Sequence, residues 1–176
     1  MERSFLRRGF NRVLHFLART LPGWRGLRPC LHRLRGVKVG ENVFIGDEVY
    51  LENEYPEAVE IQSGVQISVR AIIIAHTQGC GRVIIEKDAY IGPNTVIAAA
   101  GNRALRIGEG AVIGAGTVIT RDVAPHIFIA NESAKPIARA LVPLSKAGKV
   151  EDFIRGLAPL KRSVPRAPAC EQNGDA

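Results

Sequence analysis

Residues 107–123 have the sequence IGEGAVIGAGTVITRDV, in which an isoleucine stands at every sixth position, at Ile107, Ile113 and Ile119. The fifth residue of each hexad is small or β-branched. A period of six matches neither the 3.6-residue turn of an α-helix nor the two-residue alternation of a flat strand. It matches a short strand followed by a tight bend, repeated around an axis.

The same period extends back through the chain in four blocks of three hexads. The aliphatic first residues would point to the axis and stack on their counterparts in the next coil. The twelve hexads begin at Val39, Ile45, Leu51, Ile61, Ile67, Ile73, Ile85, Ile91, Ile97, Ile107, Ile113 and Ile119. The sequence therefore predicts an all-β fold, a parallel β-solenoid with triangular coils.

The blocks start 22, 24 and 22 residues apart, which exceeds the 18 residues of three hexads. We assign the excess to outward loops near residues 57–60, 79–84 and 103–106. Each loop follows the third hexad of its block, so all three should leave the same corner of the prism. Loops stacked along one edge of a rigid scaffold are a common place for a binding site.

Composition excludes several classes of protein. Cys30, Cys80 and Cys170 are odd in number and widely spaced, which argues against a disulfide framework or a cysteine-rich zinc site. The four histidines have no metal-ligand spacing, so no metal is expected. No apolar run approaches the roughly 20 residues of a membrane span, and arginines interrupt residues 5–17, so no signal peptide is expected.

The net charge of +7 is unevenly distributed. Residues 1–38 contain ten Lys and Arg and one acid, whereas residues 39–122 contain six and eleven. A basic arm on an acidic body argues against nucleic-acid binding and favours an acidic surface, such as anionic lipid or a partner protein, as the contact of the arm.

The arm is predicted to form an amphipathic helix over residues 3–19. It either caps the open end of the solenoid or contacts a membrane surface, and both interpretations remain open here. We divide the chain into this arm (1–38), the repeat domain (39–134), a C-terminal helical segment (135–162) and a disordered tail (163–176). One C-terminal helix is expected from Ile137 and another near residues 150–157. The apolar face of the first helix is predicted to contain Leu6, Phe10, Val13, Leu14 and Leu17.

The stretch 107–123 resembles the IGxxxVIGAGSVVTKDV segment of the hexapeptide-repeat acyltransferases, and the resemblance extends over residues 36–140. Within that family the chain is most similar to the galactoside, maltose and polysaccharide O-acetyltransferases. The resemblance implies a left-handed β-helix, a homotrimer, and acetyl-CoA as the acetyl donor.

His76 holds the place of the family's general base, which takes a proton from the acceptor hydroxyl. It follows the run Ile72-Ile73-Ile74-Ala75 and begins a loop. A histidine can supply a neutral base near pH 7. The alternative is a polar residue that merely ends a buried strand. Cys80 is interpreted as an ordinary loop cysteine, because nothing else indicates a covalent mechanism.

A binding site for coenzyme A needs a groove lined by small residues, followed by cationic side chains that bind its phosphates. The resemblance assigns it to Ala115, Gly116, Thr120, Arg121 and Lys135. Arg121 holds the position of a lysine in the family. Arginine keeps the positive charge, and its guanidinium group can bind a phosphate through two parallel hydrogen bonds. The segment Asn131-Glu132-Ser133-Ala134-Lys135 lacks the family's Gly and Pro, so the assignment is weaker at Lys135.

The acceptor is assigned to Asn53, Tyr55, Glu57 and Tyr90. The first three lie in residues 51–57, LENEYPE, which resembles an NxYPE segment of some acyltransferases in this group. Tyr90 replaces the family's usual tryptophan. Binding of sugar hydroxyls and a plain solvated acidic loop are both open interpretations of this segment.

The expected function is acetyl transfer from acetyl-CoA to a hydroxyl of a sugar or polysaccharide precursor, in the cytoplasm or at the inner face of the membrane. Alternatives are a serine or antibiotic acetyltransferase and a non-catalytic β-solenoid. A γ-type carbonic anhydrase would need three converging histidines, whereas the repeats and their exit contain only His76 and the remote His126.

Overall fold

The computed structural model describes residues 5–77, 79–132 and 138–159 and contains a triangular parallel β-solenoid of about four coils. Hexad residues stack in register from coil to coil, so that Ile45 pairs with Ile67, Ile67 with Ile91, and Ile91 with Ile113. The structure confirms the predicted fold class.

Three parallel sheets form the faces of the prism. The first face contains β1 (Lys38–Val39), β4 (Val59–Ile61), β7 (Arg82–Ile85) and β10 (Ala104–Ile107). The second contains β2 (Phe44–Ile45), β5 (Gln66–Ile67), β8 (Tyr90–Ile91), β11 (Val112–Ile113) and β13 (Phe128–Ile129). The third contains β3 (Tyr50–Leu51), β6 (Ile72–Ile74), β9 (Val96–Ala98) and β12 (Val118–Ile119).

The axis of the prism is filled by aliphatic side chains. Ile67, Ile91 and Ile113 are completely buried, as the six-residue period requires. Full burial of one such side chain contributes about 1.5–3 kcal/mol, and every coil repeats it on each face. The corners between faces use left-handed backbone, with φ of 53–59° at six residues other than glycine, for example 54° at Asn94.

The outward loops begin and end earlier than the repeat count indicates. They occupy residues 52–58, 75–81 and 99–103, and the first contains the 3-10 helix Pro56–Ala58. Residues 82–84 and 104–106, which were expected in the loops, instead extend β7 and β10, which pair over four residues each. The longer strands gain ladder hydrogen bonds that a count of hexads does not reveal. All three loops do leave from one corner.

Two helices, α1 (Phe5–Thr20) and α2 (Leu27–Arg35), pack on the first coil. Arg28 of α2 is 2% exposed; its Nε donates to the carbonyl oxygen of Leu21 at 2.7 Å and its Nη1 to that of Ile45 at 3.2 Å. The apolar face predicted for α1 was partly wrong. Phe10 and Val13 face solvent, whereas His15 and Ala18 are buried with Leu14.

The chain divides into two compact units, Met1–Asn131 and Glu132–Ala176. In the second, β14 (Ala138–Ala140) pairs antiparallel with β15 (Leu157–Pro159), and α3 (Val150–Arg155) precedes β15; the 3-10 helix Leu144–Lys146 lies between β14 and α3. The helix expected from Ile137 is therefore a strand, because pairing with β15 satisfies its backbone groups. The tail from residue 163 lies outside the described residues.

Neither α1 nor another helix in the described part of the chain is long and apolar enough to cross a bilayer.

Candidate active site

The loops leave the solenoid at the edge where the strands of the third face end. Leu51, Ile73, Ile97 and Ile119 stack at or one residue before the ends of β3, β6, β9 and β12. Adjacent coils are about 4.8 Å apart, so residues that follow these positions stack closely along the same edge. This edge therefore brings together side chains from separate coils, and it holds His76.

His76 forms a hydrogen-bonded pair with Glu52 on the preceding coil. Its Nδ1 lies 2.6 Å from Oε2 of Glu52. The same oxygen accepts a hydrogen bond from the backbone N–H of Ala75 at 2.9 Å. Glu52 is completely buried, whereas the His76 side chain is 38% exposed. The pair therefore joins a buried anchor to a ring that reaches solvent.

Glu52 is held as a carboxylate. Burial by itself would raise the pKa of the Glu52 carboxyl, but hydrogen bonds donated by His76, Ala75, Tyr55 and Glu54 lower the pKa below its usual value. The backbone N–H groups of Glu54 and Tyr55 bind the other oxygen at 2.9 and 3.2 Å. Because a carboxylate only accepts hydrogen bonds, Nδ1 of His76 carries the proton and Nε2 is the basic nitrogen.

A cavity of about 250 Å³ opens beside His76. The Tyr55 ring forms one wall, with its centroid 5.8 Å from that of His76 and an edge-on orientation. Glu57, Cys80 and Arg82 also line the cavity. It combines one basic nitrogen, one aromatic wall and charges of both signs, and can therefore hold a polar molecule that carries hydroxyls.

The loop 75–81 requires glycine where it returns to the coil. A Cβ on Gly81 would lie 2.6 Å from the carbonyl oxygen of Ala75 and 3.0 Å from that of Arg103. The backbone N–H of Cys80 donates to Oδ1 of Asn102 at 3.0 Å, which ties this loop to the next one. These contacts hold Cys80 and Gly81, which both line the cavity.

Two residues assigned to the acceptor lie elsewhere in this chain. Oδ1 of Asn53 is 3.0 Å from Nδ1 of His15, so its side chain faces α1. Tyr90 is in β8 on the second face, where its hydroxyl accepts a hydrogen bond from Ser68 at 3.0 Å. Tyr55 and Glu57 do line the cavity at His76.

The residues assigned to the donor lie at two corners. Thr120 and Arg121 follow β12 and are exposed on the same edge as His76, two coils further along. Ala115 and Gly116 are exposed at the corner between β11 and β12. Lys135 lies outside the described residues. In the ranges 5–77, 79–132 and 138–159, no three His, Cys, Asp or Glu side chains gather as metal ligands would.

Sequence reasoning missed Glu52 and Arg82. Glu52 precedes His76 by 24 residues, about one coil, and directly follows the buried Leu51. A carboxylate at that place, one coil before the histidine, was the available signal. Arg82 had no such signal, because its contact with the cavity depends on where the loop 75–81 returns.

Known proteins share these repeats. Residues 82–121 match the family model described as the hexapeptide repeat of succinyl-transferase. The Bacillus subtilis (strain 168) protein YvoF, whose name describes an acetyltransferase, is 29% identical over 76% of this chain and 78% of its own. The crystal structure of VCA0836, a hexapeptide-repeat containing acetyltransferase from Vibrio cholerae, superposes on this chain with a TM-score of 0.51. The two are 19% identical, and the match covers 72% of this chain and 86% of that one. This structural likeness supports the fold.

Two further relatives are larger proteins. The bifunctional protein GlmU of Azoarcus sp. (strain BH72) is 31% identical over 52% of this chain. The 2,3,4,5-tetrahydropyridine-2,6-dicarboxylate N-acetyltransferase of Staphylococcus aureus (strain JH9) is 41% identical over 33% of this chain. The matches span 22% and 23% of those proteins. The repeats counted in the sequence, the coils of the structure and these relatives agree that the chain is similar to the hexapeptide-repeat acetyltransferases.

Proposed function

We propose that this protein transfers an acetyl group from acetyl-CoA to a hydroxyl of a sugar or polysaccharide precursor, with His76 as the general base. The observation that carries the proposal is the hydrogen bond between Nδ1 of His76 and the buried carboxylate of Glu52. It leaves Nε2 as the basic nitrogen, on a side chain that lines a cavity.

The proposed reaction is a direct transfer. Nε2 of His76 takes the hydroxyl proton while the acceptor oxygen attacks the carbonyl carbon of the thioester. The C–S bond then breaks, the acetyl group remains on the acceptor oxygen, and the thiolate of coenzyme A receives the proton from His76. Glu52 orients the imidazole and stabilises its positive charge between the two proton transfers.

The acceptor is proposed to bind between Tyr55, Glu57 and Arg82. Carboxylate and guanidinium groups can hydrogen-bond the hydroxyls of a sugar, and the Tyr55 ring offers an apolar face to its C–H groups. The S. aureus relative is by name an N-acetyltransferase. The acceptor panel therefore contains amino sugars and serine as well as neutral sugars, so that transfer to nitrogen or to serine is detected.

The donor is proposed to bind between two copies of the chain in a homotrimer. Arg121 lies on the His76 edge, whereas Ala115, Gly116 and Tyr90 lie away from it. A neighbouring prism packed against the edge can supply these residues to the same site. The proposal predicts a molar mass of about three times 19.1 kDa in light scattering.

The base is tested with one substitution at two histidines. We expect His76→Asn to lower kcat by roughly 10²–10⁴-fold, because an amide cannot accept the hydroxyl proton. His126 is exposed at a corner with φ of 58°, which asparagine tolerates, so His126→Asn is the matched control. Near-native turnover by His76→Asn would exclude it as the base.

Glu52 is tested as the positioning residue. Glu52→Gln keeps the size of the side chain but removes the charge that stabilises an imidazolium. We expect kcat to fall at least about tenfold while KM for acetyl-CoA stays unchanged. A parallel loss of stability and of both kinetic parameters would assign Glu52 a structural role only.

The shared site is tested by mixing subunits. Ala115→Trp should block the donor wall, and His76→Asn should remove the base, so each variant alone should be inactive. If the wall and the base come from neighbouring copies, unfolding and refolding the two variants together should restore activity. No restoration in trimers shown by mass to contain both variants would place each site within one chain.

A further inference from the structure

The outward face of α1 is apolar. Leu14 and Ala18 pack toward the coil, whereas Phe10, Val13 and Phe16 are 59%, 58% and 67% exposed. Successive helical residues are separated by about 100°, which places Val13 and Phe16 away from the buried side and Phe10 at its border. An ordinary surface helix has its polar residues there. We call these three residues, together with Leu34, the outer face.

Leu34 belongs to the outer face through α2. It is 63% exposed, and with Phe10 it lines a depression that also contains Arg7 and Arg12. The apolar surface thus continues from one helix to the next and is bordered by guanidinium groups. Isolated exposed apolar residues are ordinary, but a group of four on adjacent helices indicates a contact surface.

The charge on the two helices of the outer face has one sign, and the acid beside them is Glu54 of the first coil, which also lines the depression. Residues 5–38 contain nine Lys and Arg and no acid. Arg12 is 72% exposed and forms an ion pair with Glu54 on the first coil, at 3.5 Å. Two copies of this chain that met through their outer faces would bring these cations together, which is electrostatically unfavourable.

We propose that the outer face binds an anionic membrane surface. Phe10, Val13 and Phe16 enter the boundary between headgroups and acyl chains, and Arg7 and Arg12 lie beside lipid phosphates. A helix of this kind lies in the plane of the interface, with an affinity set by its buried apolar area and by attraction to anionic lipid. This surface is separate from the proposed acetyl transfer and does not depend on it.

Vesicle co-sedimentation of the full chain tests the proposal. We expect vesicles of phosphatidylglycerol and phosphatidylcholine to bind the protein at least about tenfold more tightly than phosphatidylcholine alone. Phe10→Ser/Phe16→Ser should lower binding at least about tenfold, because two buried rings are lost. Val118→Ser/Phe128→Ser, at residues that are 62% and 69% exposed on β12 and β13, is the matched control and should bind normally.

A fluorescence measurement locates the contact. Trp24 is the only tryptophan, so Trp24→Phe/Phe16→Trp places a single reporter on the outer face. Its emission should shift to shorter wavelength with anionic vesicles and be quenched by brominated acyl chains. Absence of vesicle binding by the unmodified protein would overturn the proposal. Absence of binding combined with a change in molar mass of Phe10→Ser/Phe16→Ser would assign the outer face to a contact between copies.

Discussion

The central coils and the helical cap of the first coil, formed by α1 and α2, bury different kinds of side chain. In the coils, Ile67 and Ile91 are completely buried among other aliphatic residues. In the cap, α1 and α2 bury His15, Arg28, His32 and Arg35 almost completely. The coils therefore gain stability by repeating one apolar contact, whereas the cap depends on the hydrogen bonds of its buried arginines, and Nε2 of His15 and of His32 are buried without a hydrogen-bond partner among the described residues.

The cap is also connected to the candidate active site. Nη2 of Arg35 donates to the carbonyl oxygen of Glu52 at 2.7 Å, and its Nε donates to Oδ1 of Asn11 at 2.9 Å. Burial lowers the pKa of Arg35 to about 10, so the guanidinium stays charged at neutral pH. Because Glu52 binds His76, the polar cap supports the backbone of the residue that orients the base.

The largest expected effect comes from removing a buried charge in the cap. Arg28→Met should lower the free energy of unfolding by about 2–5 kcal/mol, because the carbonyl oxygens of Leu21 and Ile45 lose their donor. Ile91→Val in the coils should cost only about 0.5–1.5 kcal/mol. Urea unfolding measures both. Equal costs for the two variants would mean that the cap does not depend on its polar contacts.

Acid should affect the cap before it affects the coils. Burial, followed by the charge of Arg35, lowers the pKa of His15 to about 4 and that of His32 to about 3. The charge of Arg19 also lowers the pKa of His15, whereas the hydrogen bond to Asn53 and the charge of Glu52 raise it. The charge of Arg28 also lowers the pKa of His32. The unfolded chain binds protons at both histidines from about pH 6.5, whereas the folded chain does not. The free energy of unfolding should therefore fall as pH decreases below about 6.5, by up to about 3 kcal/mol per pH unit.

Urea midpoints between about pH 7.5 and 5.5 measure this slope. His15→Asn/His32→Gln should flatten it, while His126→Asn, at an exposed corner, should leave it unchanged. Glu52, whose folded-state pKa is lowered, contributes stability that is lost only below about pH 4.3 and so lies outside this window. A wild-type slope in the double variant would contradict the assignment to the cap.

A smaller effect should follow from removing an arginine of the coils. Arg121 is exposed, so Arg121→Ala should leave stability nearly unchanged, in contrast to Arg28→Met. If Arg121 contacts a phosphate of coenzyme A, KM for acetyl-CoA should rise about 10–150-fold with kcat unchanged, and less so at high salt. An unchanged KM, or a lower kcat alone, would contradict the donor placement.

The smallest expected effect concerns the corners. Asn94 has φ of 54°, a conformation that costs most residues about 1–2 kcal/mol and asparagine less. Asn94→Ala should therefore lower the free energy of unfolding by about 1 kcal/mol, and Asn94→Gly by less. Thermal or urea unfolding checks the difference. Equal stability of the two variants would mean that this corner relaxes out of the left-handed conformation.

The candidate site was only partly predictable from the sequence. His76 lies on the looped edge, and Tyr55 and Glu57 line its cavity. Glu52 was missed, because its importance lies in contacts to Ala75 and His76 on the next coil. The roles assigned to all of the site residues stay predictions, namely those of His76, Asn53, Tyr55, Glu57, Tyr90, Ala115, Gly116, Thr120, Arg121 and Lys135.

By itself, the sequence determined the solenoid, because each hexad repeats the same local solution and a buried isoleucine every six residues is visible as a period. Tertiary structure alone decided which side of α1 is buried. An amphipathic pattern shows that a helix has two faces, but here His15 and Ala18 face the coil and Phe10 faces solvent. That outcome depends on partners such as Asn53 and Tyr50, which lie far along the chain and follow no period.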